Sequence, residues 1–219
     1  MCRLYISKGP IDLSSALKLA ARHDPYMSSE RKQHGDGWGF VAASPHGFVY
    51  YKSGLPAWED PTVVPMRDVV LAHARAASPG EPRGPEHSHP YMAYLGDGRI
   101  IFVAHNGSVD KHALSAKVGL NPSYFTDSFV LTQFLARYWD DPRRAVEEAT
   151  YYVKTALNLA VLEYPTLRAY VYPFYRGPRE YYAMYEVRAG GARAVVSSTL
   201  LRHLDHQGVE LESGTFLTF

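Results

Sequence analysis

An α+β fold, in which two antiparallel sheets carry helices on their outer faces, is predicted by three features of this 219-residue sequence. Segments rich in valine, isoleucine and aromatic residues come first, helical patterns lie between and after them, and a second group of such segments closes the chain. Short turns containing glycine and aspartate join neighbouring segments, as in antiparallel hairpins. Each sheet must bury one face and each helix one stripe, and sheets covered by helices satisfy both needs.

The strands of the first group are predicted from their composition and from the turns that bound them. They lie at 2–7, 38–44, 47–53, 69–77, 91–95 and 99–105. The turns SPHG at 44–47 and GDGR at 96–99 predict two hairpins, because glycine and aspartate tolerate the positive φ of a tight turn.

The spacing of apolar residues predicts three helices and then more strands. The helices lie at 12–23, 127–139 and about 142–156. Asp12 and Asp127 stand where helix caps are expected. The later strands lie at 157–164, 167–175, 180–187 and 192–198. The segment 78–90, SPGEPRGPEHSHP, is too rich in proline and glycine for a regular element, and we predict a functional loop there.

Charge and hydropathy exclude several classes of partner. The 23 basic and 22 acidic side chains give a net charge of +1 and form no long run, so we expect no nucleic-acid partner and no anionic membrane surface. No apolar stretch approaches the ~20 residues of a membrane span, and the first ten residues lack the apolar core of a signal peptide. We therefore expect one cytoplasmic domain that covers residues 1–219.

Cys2 is the only cysteine, which excludes an intrachain disulfide and a zinc site built from cysteines. A lone cysteine is most often a small buried hydrophobe. Its place beside Met1 leaves a catalytic interpretation open as well, because removal of Met1 would leave a thiol and a free α-amine on one residue. The amine titrates near ~7.7 to 8.0 and the thiol near ~8.5, so the amine can accept the thiol proton at physiological pH.

Two strand ends carry further candidate residues. In the segment HAR, alternation puts His73 and Arg75 on one face of a strand, and Arg75 is either a ligand for a carboxylate or an ordinary surface arginine. In AHNGSVD, the Asn106 amide and the Gly107 backbone N–H either converge on an oxyanion or form a plain turn.

Asp127, in the segment FTDSF, either binds an ammonium group or caps its helix. His87 and His89 are two residues apart and can share a strand face, but no third ligand is spaced to join them. We expect no metal and no cofactor.

Taken in chain order, the segments MCRLYI, GDGWGF, LAHARAASPG, HSHP, VAHNGSVD, TDS and VVSST resemble the class II glutamine amidotransferases, the glutaminase domains of the N-terminal nucleophile hydrolases. The matched segments run from position 1 to about 199. The GDGWG type is similar to short standalone members, including enzymes that hydrolyse a γ-glutamyl amide in sulfur-metabolite synthesis.

The resemblance implies a four-layer αββα sandwich and a role for each matched residue. Cys2, freed of Met1, would attack the side-chain amide of glutamine, and its own α-amine would relay the proton. Asn106 and Gly107 would hold the oxyanion. Arg75 would bind the substrate α-carboxylate and Asp127 its α-ammonium.

The resemblance also counts Trp38 and His89 among the substrate-binding residues, with Trp38 near the nucleophile. The stretch from Arg75 to about Arg83 would match the loop that closes over glutamine. One departure concerns Phe129, which stands where relatives commonly carry an acidic residue.

The activity implied is hydrolysis of glutamine or a γ-glutamyl compound through a thioester, with release of glutamate and of ammonia or an amine. No domain that would use ammonia follows the matched segments, so we expect any acceptor to be a separate synthetase subunit. Two alternatives stay open: a catalytically silent binding or regulatory module on the same fold, and an N-terminal nucleophile acylase for another amide. The acylase would not need Arg75 and Asp127.

Overall fold

Two antiparallel sheets run through the centre of the protein. The structure is a computed structural model that describes residues 2–27, 30 and 32–219. Within these residues the first sheet contains the strands β1 (Cys2–Lys8), β2 (Trp38–Ser44), β3 (Gly47–Ser53), β4 (Val69–Arg75), β9 (Met184–Ala189), β10 (Ala192–Ser197) and β11 (Gly208–Glu210). The second sheet contains β5 (Tyr91–Tyr94), β6 (Ile100–Val109), β7 (Val153–Tyr164), β8 (Arg168–Tyr172) and β12 (Leu217–Thr218). In the first sheet β1 is central, between β10 and β4.

Helices cover the outer face of each sheet. The first sheet is covered by α1 (Ser14–Arg22), with the one-turn helices α5 (Arg179–Tyr182) and α6 (Ser198–Leu201) close by. The second sheet is covered by α2 (Lys111–Val118), α3 (Asp127–Arg137) and α4 (Pro142–Ala149). This order confirms the predicted α+β sandwich of two antiparallel sheets. None of the described helices is long and apolar enough to cross a membrane.

Alternation along β1 shows how the layers are joined. Leu4 and Ile6 are fully buried in the apolar layer between the two sheets. Tyr5 points the other way and packs under α1 with Leu17. Burial of each large apolar side chain contributes about 1.5–3 kcal/mol, so a central strand with both faces buried anchors the first sheet.

Strand β6 passes straight through the Asn-Gly dipeptide. Asn106 pairs with Asn158 on β7 and Gly107 pairs with Leu157, so the alternative of a plain turn at this dipeptide is wrong. Gly107 has a φ of 153°, and a Cβ there would collide with the carbonyl group of Ala156. The close approach of β7 therefore requires glycine at this position.

Several predicted boundaries were wrong. The third predicted helix ends at Ala149 and not near 156, because β7 already begins at Val153. The segment 180–187, predicted as a strand, begins as α5 and becomes a strand only at Met184. Helix α2 was missed because its apolar residues do not line up on one face.

The helix starts also differ from the prediction. Helix α1 begins at Ser14, whose backbone N–H donates to Asp12 Oδ1 at 2.8 Å. Helix α3 is capped by Thr126, whose Oγ1 accepts the N–H of Phe129 at 3.1 Å, and not by Asp127. The carboxylate of Asp127 instead accepts the N–H groups of Ser128 and Val109.

Candidate active site

Cys2 lies between the sheets, at the start of the central strand β1. Its side chain is buried, and Arg75 on β4 is its partner in the strand register. The backbone N–H of Cys2 donates to Asn106 Oδ1 at 2.9 Å. The cysteine of the first sheet and a side-chain amide of the second sheet, 104 residues apart in the chain, are thus in direct contact.

The hydrogen bond from the Cys2 N–H occupies the side-chain oxygen of Asn106. A carboxamide has one acceptor oxygen and one NH₂ group with two donors. Because Oδ1 accepts from Cys2, the NH₂ group is the part that can donate to a negatively charged oxygen. The N–H of Gly107 follows on the same strand. Such a pair of donors suits an oxyanion hole beside the thiol.

His73 contacts the thiol from β4 and is fully buried. Its Nε2–H donates to the backbone carbonyl of His105 at 3.1 Å. The rings of His73 and His89 lie 4.0 Å apart, centroid to centroid. His89 is 2 % exposed, and within residues 2–27, 30 and 32–219 neither of its ring nitrogens has a hydrogen-bond partner.

Burial keeps two of these histidines neutral. The pKa of His89 lies well below its ordinary value because of burial and the positive charges around it. Burial also lowers the pKa of His105, whose Nε2 donates to the carbonyl of Ala156 at 3.1 Å and whose Nδ1 accepts from Ser128 Oγ at 2.9 Å. His105 therefore ties β6 to α3 directly behind Asn106.

The thiol of Cys2 is unusually acidic. Burial raises its pKa, but the positive charge of the amino terminus, the charge and hydrogen bond of His73, and the backbone of Ala76 outweigh burial and lower the pKa from 9.0 to about 5. A thiolate is the nucleophilic form of cysteine. The charges and donors around Cys2 therefore favour its thiolate form at neutral pH.

Arg75 and Asp127 both lie close enough to Tyr91 for their charges to act on its hydroxyl. The pKa of the Tyr91 hydroxyl is raised mainly by burial, and the two charges act on it with opposite signs. Arg75 is 4 % exposed, and its Nη1 donates to the carbonyl of Pro82 at 2.7 Å. Asp127 Oδ2 accepts the N–H of Val109 at 3.1 Å, and its Oδ1 accepts the N–H of Ser128 at 2.7 Å.

The loop after β4 folds over Arg75 and is fastened at several points. Arg83 forms an ion pair with Asp36 at 3.2 Å, and the N–H of Ala77 donates to the same carboxylate at 2.9 Å. Lys111 Nζ lies 2.7 Å from Glu81. The loop predicted from the proline and glycine content thus covers the candidate carboxylate-binding residue.

Trp38 is not brought to the site. Its side chain packs on the α1 side of the first sheet, and its Nε1–H donates to Asp60 Oδ2 at 2.9 Å. Cys2 lies on the other face of that sheet. The proposed removal of Met1 concerns a residue outside the described part of the chain. Among the described residues, no group of three or more histidine, cysteine or acidic side chains is arranged to hold a metal ion.

Sequence reasoning missed Arg3 and Asp24, a fully buried ion pair beside the Cys2 backbone. The signal available was an arginine inside an otherwise apolar strand, CRLYIS. The thiol contact of His73 was also missed, although its place on the Arg75 face pointed to it.

No protein-family model matches the sequence, and no curated protein sequence matches it significantly. Solved structures do resemble the protein. Glutamine phosphoribosylpyrophosphate amidotransferase from B. subtilis, solved with ADP and GMP, matches with a TM-score of 0.70 and 18 % identity over 99 % of this chain and 47 % of that chain. A structure described as the allosteric regulatory enzyme of purine biosynthesis matches with a TM-score of 0.73 and 17 % identity over 99 % of this chain and 46 % of that one.

A glutamine aminotransferase class-II domain protein from Silicibacter pomeroyi matches with a TM-score of 0.55 and 18 % identity over 100 % of this chain and 94 % of that one. This chain spans a little under half the length of the two proteins reported before it. The likeness shows that this chain shares the fold of these amidotransferase structures, a sandwich of two antiparallel sheets covered by helices.

Proposed function

We propose that this protein hydrolyses the side-chain amide of glutamine or of a γ-glutamyl compound, with Cys2 as the nucleophile after removal of Met1. The observation that carries the proposal is the 2.9 Å hydrogen bond from the Cys2 N–H to Asn106 Oδ1. It brings the residue that carries the only thiol of the chain next to the Asn106–Gly107 pair, within a fold that glutamine amidotransferases share. The acidic thiol adds support, because an ionised Cys2 is ready to attack.

The reaction proceeds in two steps. Cys2 Sγ attacks the amide carbon, and the resulting oxyanion accepts hydrogen bonds from the Asn106 NH₂ group and the Gly107 N–H. The Cys2 α-amine passes a proton to the leaving nitrogen, which departs as ammonia or an amine and leaves a thioester on Sγ. Water then attacks the thioester, the amine accepts a proton from that water, and glutamate leaves with the thiolate restored.

Arg75, Asp127 and His89 bind the substrate in this proposal. Arg75 takes the α-carboxylate in exchange for the Pro82 carbonyl, so the covering loop must shift as substrate enters. Asp127 takes the α-ammonium. His89 supplies ring nitrogens that have no hydrogen-bond partner within the described residues.

One observation keeps an acylase for another amide as a second candidate. Both carboxylate oxygens of Asp127 already accept backbone N–H groups, so its capacity for an ammonium is partly used. Phe129 adds an aromatic surface two residues further along α3, stacked on Phe125 and edge-on to Tyr91. An amide without a free amino-acid end would suit this surface.

The finer setting of the reaction belongs to the same proposal. Ammonia released here would pass to a separate synthetase subunit or into solution, and an amine would be released as product. The protein would act in the cytoplasm, where a reducing environment keeps a lone thiol free.

The test combines intact mass, labelling and turnover on the purified protein. We expect a mass that lacks Met1, glutamate release from glutamine, and selective labelling of Cys2 by a diazo-ketone analogue of glutamine. The Cys2→Ala variant serves as the control and should lose both turnover and label. Active enzyme that retains Met1, or labelling at another residue, would overturn the proposal.

A further inference from the structure

We propose that Arg3 is a positioning residue that holds the nucleophile Cys2 from the opposite face of the first sheet; the inference rests on the role proposed above for Cys2. Arg3 is fully buried on the α1 side of β1. Its Nη1 donates to the carbonyl of Cys2 at 3.1 Å and to the carbonyl of Tyr181 at 3.1 Å. The guanidinium carbon of Arg3 lies over the Tyr181 ring, 3.9 Å from the ring centroid.

The strand register explains why Cys2 needs this contact on the β10 side. Pairing of β1 with β10 begins at Tyr5, and β10 ends at Ser197. Leu4, the residue before Tyr5, is bound by the Ser197 hydroxyl, which accepts the Leu4 N–H at 3.0 Å and donates to the Leu4 carbonyl at 3.2 Å. Cys2 lies two residues further out, beyond the end of β10. On the β10 side no strand residue of the described part of the chain donates to the Cys2 carbonyl. The guanidinium of Arg3 supplies that hydrogen bond instead.

The neighbour on the other side offers Cys2 no ladder bond either. The N–H of Arg75 donates to the carbonyl of Gly37, and the carbonyl of Arg75 accepts from the N–H of Asp36. The N–H and C=O of one strand residue point to the same side, so both groups of Arg75 point away from β1. Two contacts hold the Cys2 backbone instead: Asn106 on its N–H and Arg3 on its carbonyl.

A buried carboxylate fixes the Arg3 side chain. Asp24 Oδ2 lies 2.6 Å from Arg3 Nε and 2.5 Å from Nη2. His34 Nε2 is 2.8 Å from the same oxygen, and Thr199 Oγ1 donates to it at 3.3 Å. Burial raises the pKa of Asp24, but the His34 hydrogen bond and the Arg3 charge hold it below its ordinary value.

Stability alone does not account for this ion pair. Arg3 and Asp24 are both 0 % exposed. Taking both charges out of water is costly, and an apolar pair of similar volume is often as stable or more stable. What an apolar pair cannot do is donate to the Cys2 carbonyl. Removal of Met1 would make Cys2 the chain end, and chain ends fray unless they are tied down.

The test removes both charges together, so that no lone charge stays buried. In the double variant Arg3→Met/Asp24→Asn, we expect kcat for glutamine and the rate of Cys2 alkylation by iodoacetamide to fall at least about tenfold. We expect KM to stay within about twofold and the thermal midpoint to be retained, because the loss is one of nucleophile alignment. The single variant Arg3→Lys keeps a charge for Asp24 but cannot fork to the Cys2 carbonyl, so it should recover part of both rates.

A second arginine–carboxylate pair, under the helices that cover the second sheet, provides a matched control for the Arg3–Asp24 pair. Arg99 Nη1 pairs with the fully buried Glu163 at 2.7 Å, far from Cys2 in the fold. Arg99→Met/Glu163→Gln removes the same kinds of group, and we expect it to leave kcat and alkylation unchanged. Wild-type rates in the Arg3 double variant, or an equal loss in the control, would overturn the inference. If the double variant does not fold, Arg3→Lys decides in its place.

The two proposals fail in different ways. Wild-type protein that releases no glutamate from glutamine would end the proposed function. Alkylation of Cys2 needs no substrate, so the contrast between the Arg3 variants and the control would still show whether Arg3 aligns the thiol.

Discussion

The layer between the two sheets is apolar at one end and polar at the other, although the same faces of the same strands line both ends. On β1, Leu4 and Ile6 lie in an apolar layer, whereas Cys2 on the same face meets His73 and Asn106. On β6, Phe102 belongs to the apolar end, four residues before Asn106. The character of the layer therefore changes within one or two residues along each strand.

This contrast separates stability from chemistry. Apolar burial contributes most of the stability of a fold, whereas buried polar groups cost free energy unless hydrogen bonds compensate them. The polar end is held by specific contacts such as the one between Cys2 and Asn106. Substitutions at the apolar end should therefore change the free energy of unfolding, and substitutions at the polar end should change turnover.

Phe102→Ala should have the largest effect on stability. Phe102 is fully buried and packs edge-on against Phe48 and Tyr50, so truncation leaves a cavity and should lower the free energy of unfolding by about 3–5 kcal/mol. Denaturant titration measures it. Under conditions where the variant is folded, its kcat should match that of the wild type. A kcat loss in the fully folded variant would remove the separation between the two ends.

Asn106→Ala should lower turnover and leave the protein folded, the reverse of the effect expected for Phe102→Ala. Loss of one oxyanion donor should lower kcat by about two to three orders of magnitude with a smaller effect on KM, because the donor acts mainly in the transition state. Steady-state kinetics measure both values, and a retained circular-dichroism spectrum shows that the variant is folded. An unchanged kcat would leave Asn106 only its structural contact with the Cys2 N–H.

Arg75→Ala should lower kcat/KM by about tenfold to a hundredfold, the cost of a lost hydrogen bond to a charged group. Arg75→Lys should recover only part, because an ammonium cannot bind a carboxylate with two parallel bonds. Arg83→Ala, in the same loop but 62 % exposed at the side chain, is the matched control and should change kcat/KM little. Equal losses in Arg75→Ala and Arg83→Ala would assign the effect to the loop as a whole.

The sequence predicted the parts of this molecule that depend on local pattern. The strands 38–44 and 47–53 were predicted with the bounds observed, because the turn between them is encoded in four adjacent residues. The Asn-Gly dipeptide was ambiguous, since pairing with β7 overrides the local preference for a turn. Arg3 lies on β1 and Asp24 in the loop after α1, 21 residues away, and a pattern of neighbouring residues cannot predict such a pair.

Asp127→Asn should discriminate between substrates. For glutamine, which has a free α-amine, kcat/KM should fall about tenfold, because the carboxylate charge that faces the ammonium is lost. For an N-acylated glutamine the same variant should behave nearly as the wild type does. Parallel assays of the two compounds measure the difference. An equal loss on both would assign Asp127 to the scaffold, through its hydrogen bond with the Val109 N–H.

His73→Gln should have the smallest effect, a shift in the pH profile of thiol reactivity. The pKa of Cys2 is about 5, so the alkylation rate of the wild type should be constant from neutral to alkaline pH and fall as the pH drops through 5. His73 is one of the groups that lower this pKa. Its removal should raise the pKa by about one unit, which slows alkylation near pH ~5 but not at pH ~8.

The exposed His112, on α2, provides the control His112→Gln. A His73→Gln profile identical to that of the control would show that the amino terminus and the Ala76 backbone are enough to keep the thiol ionised.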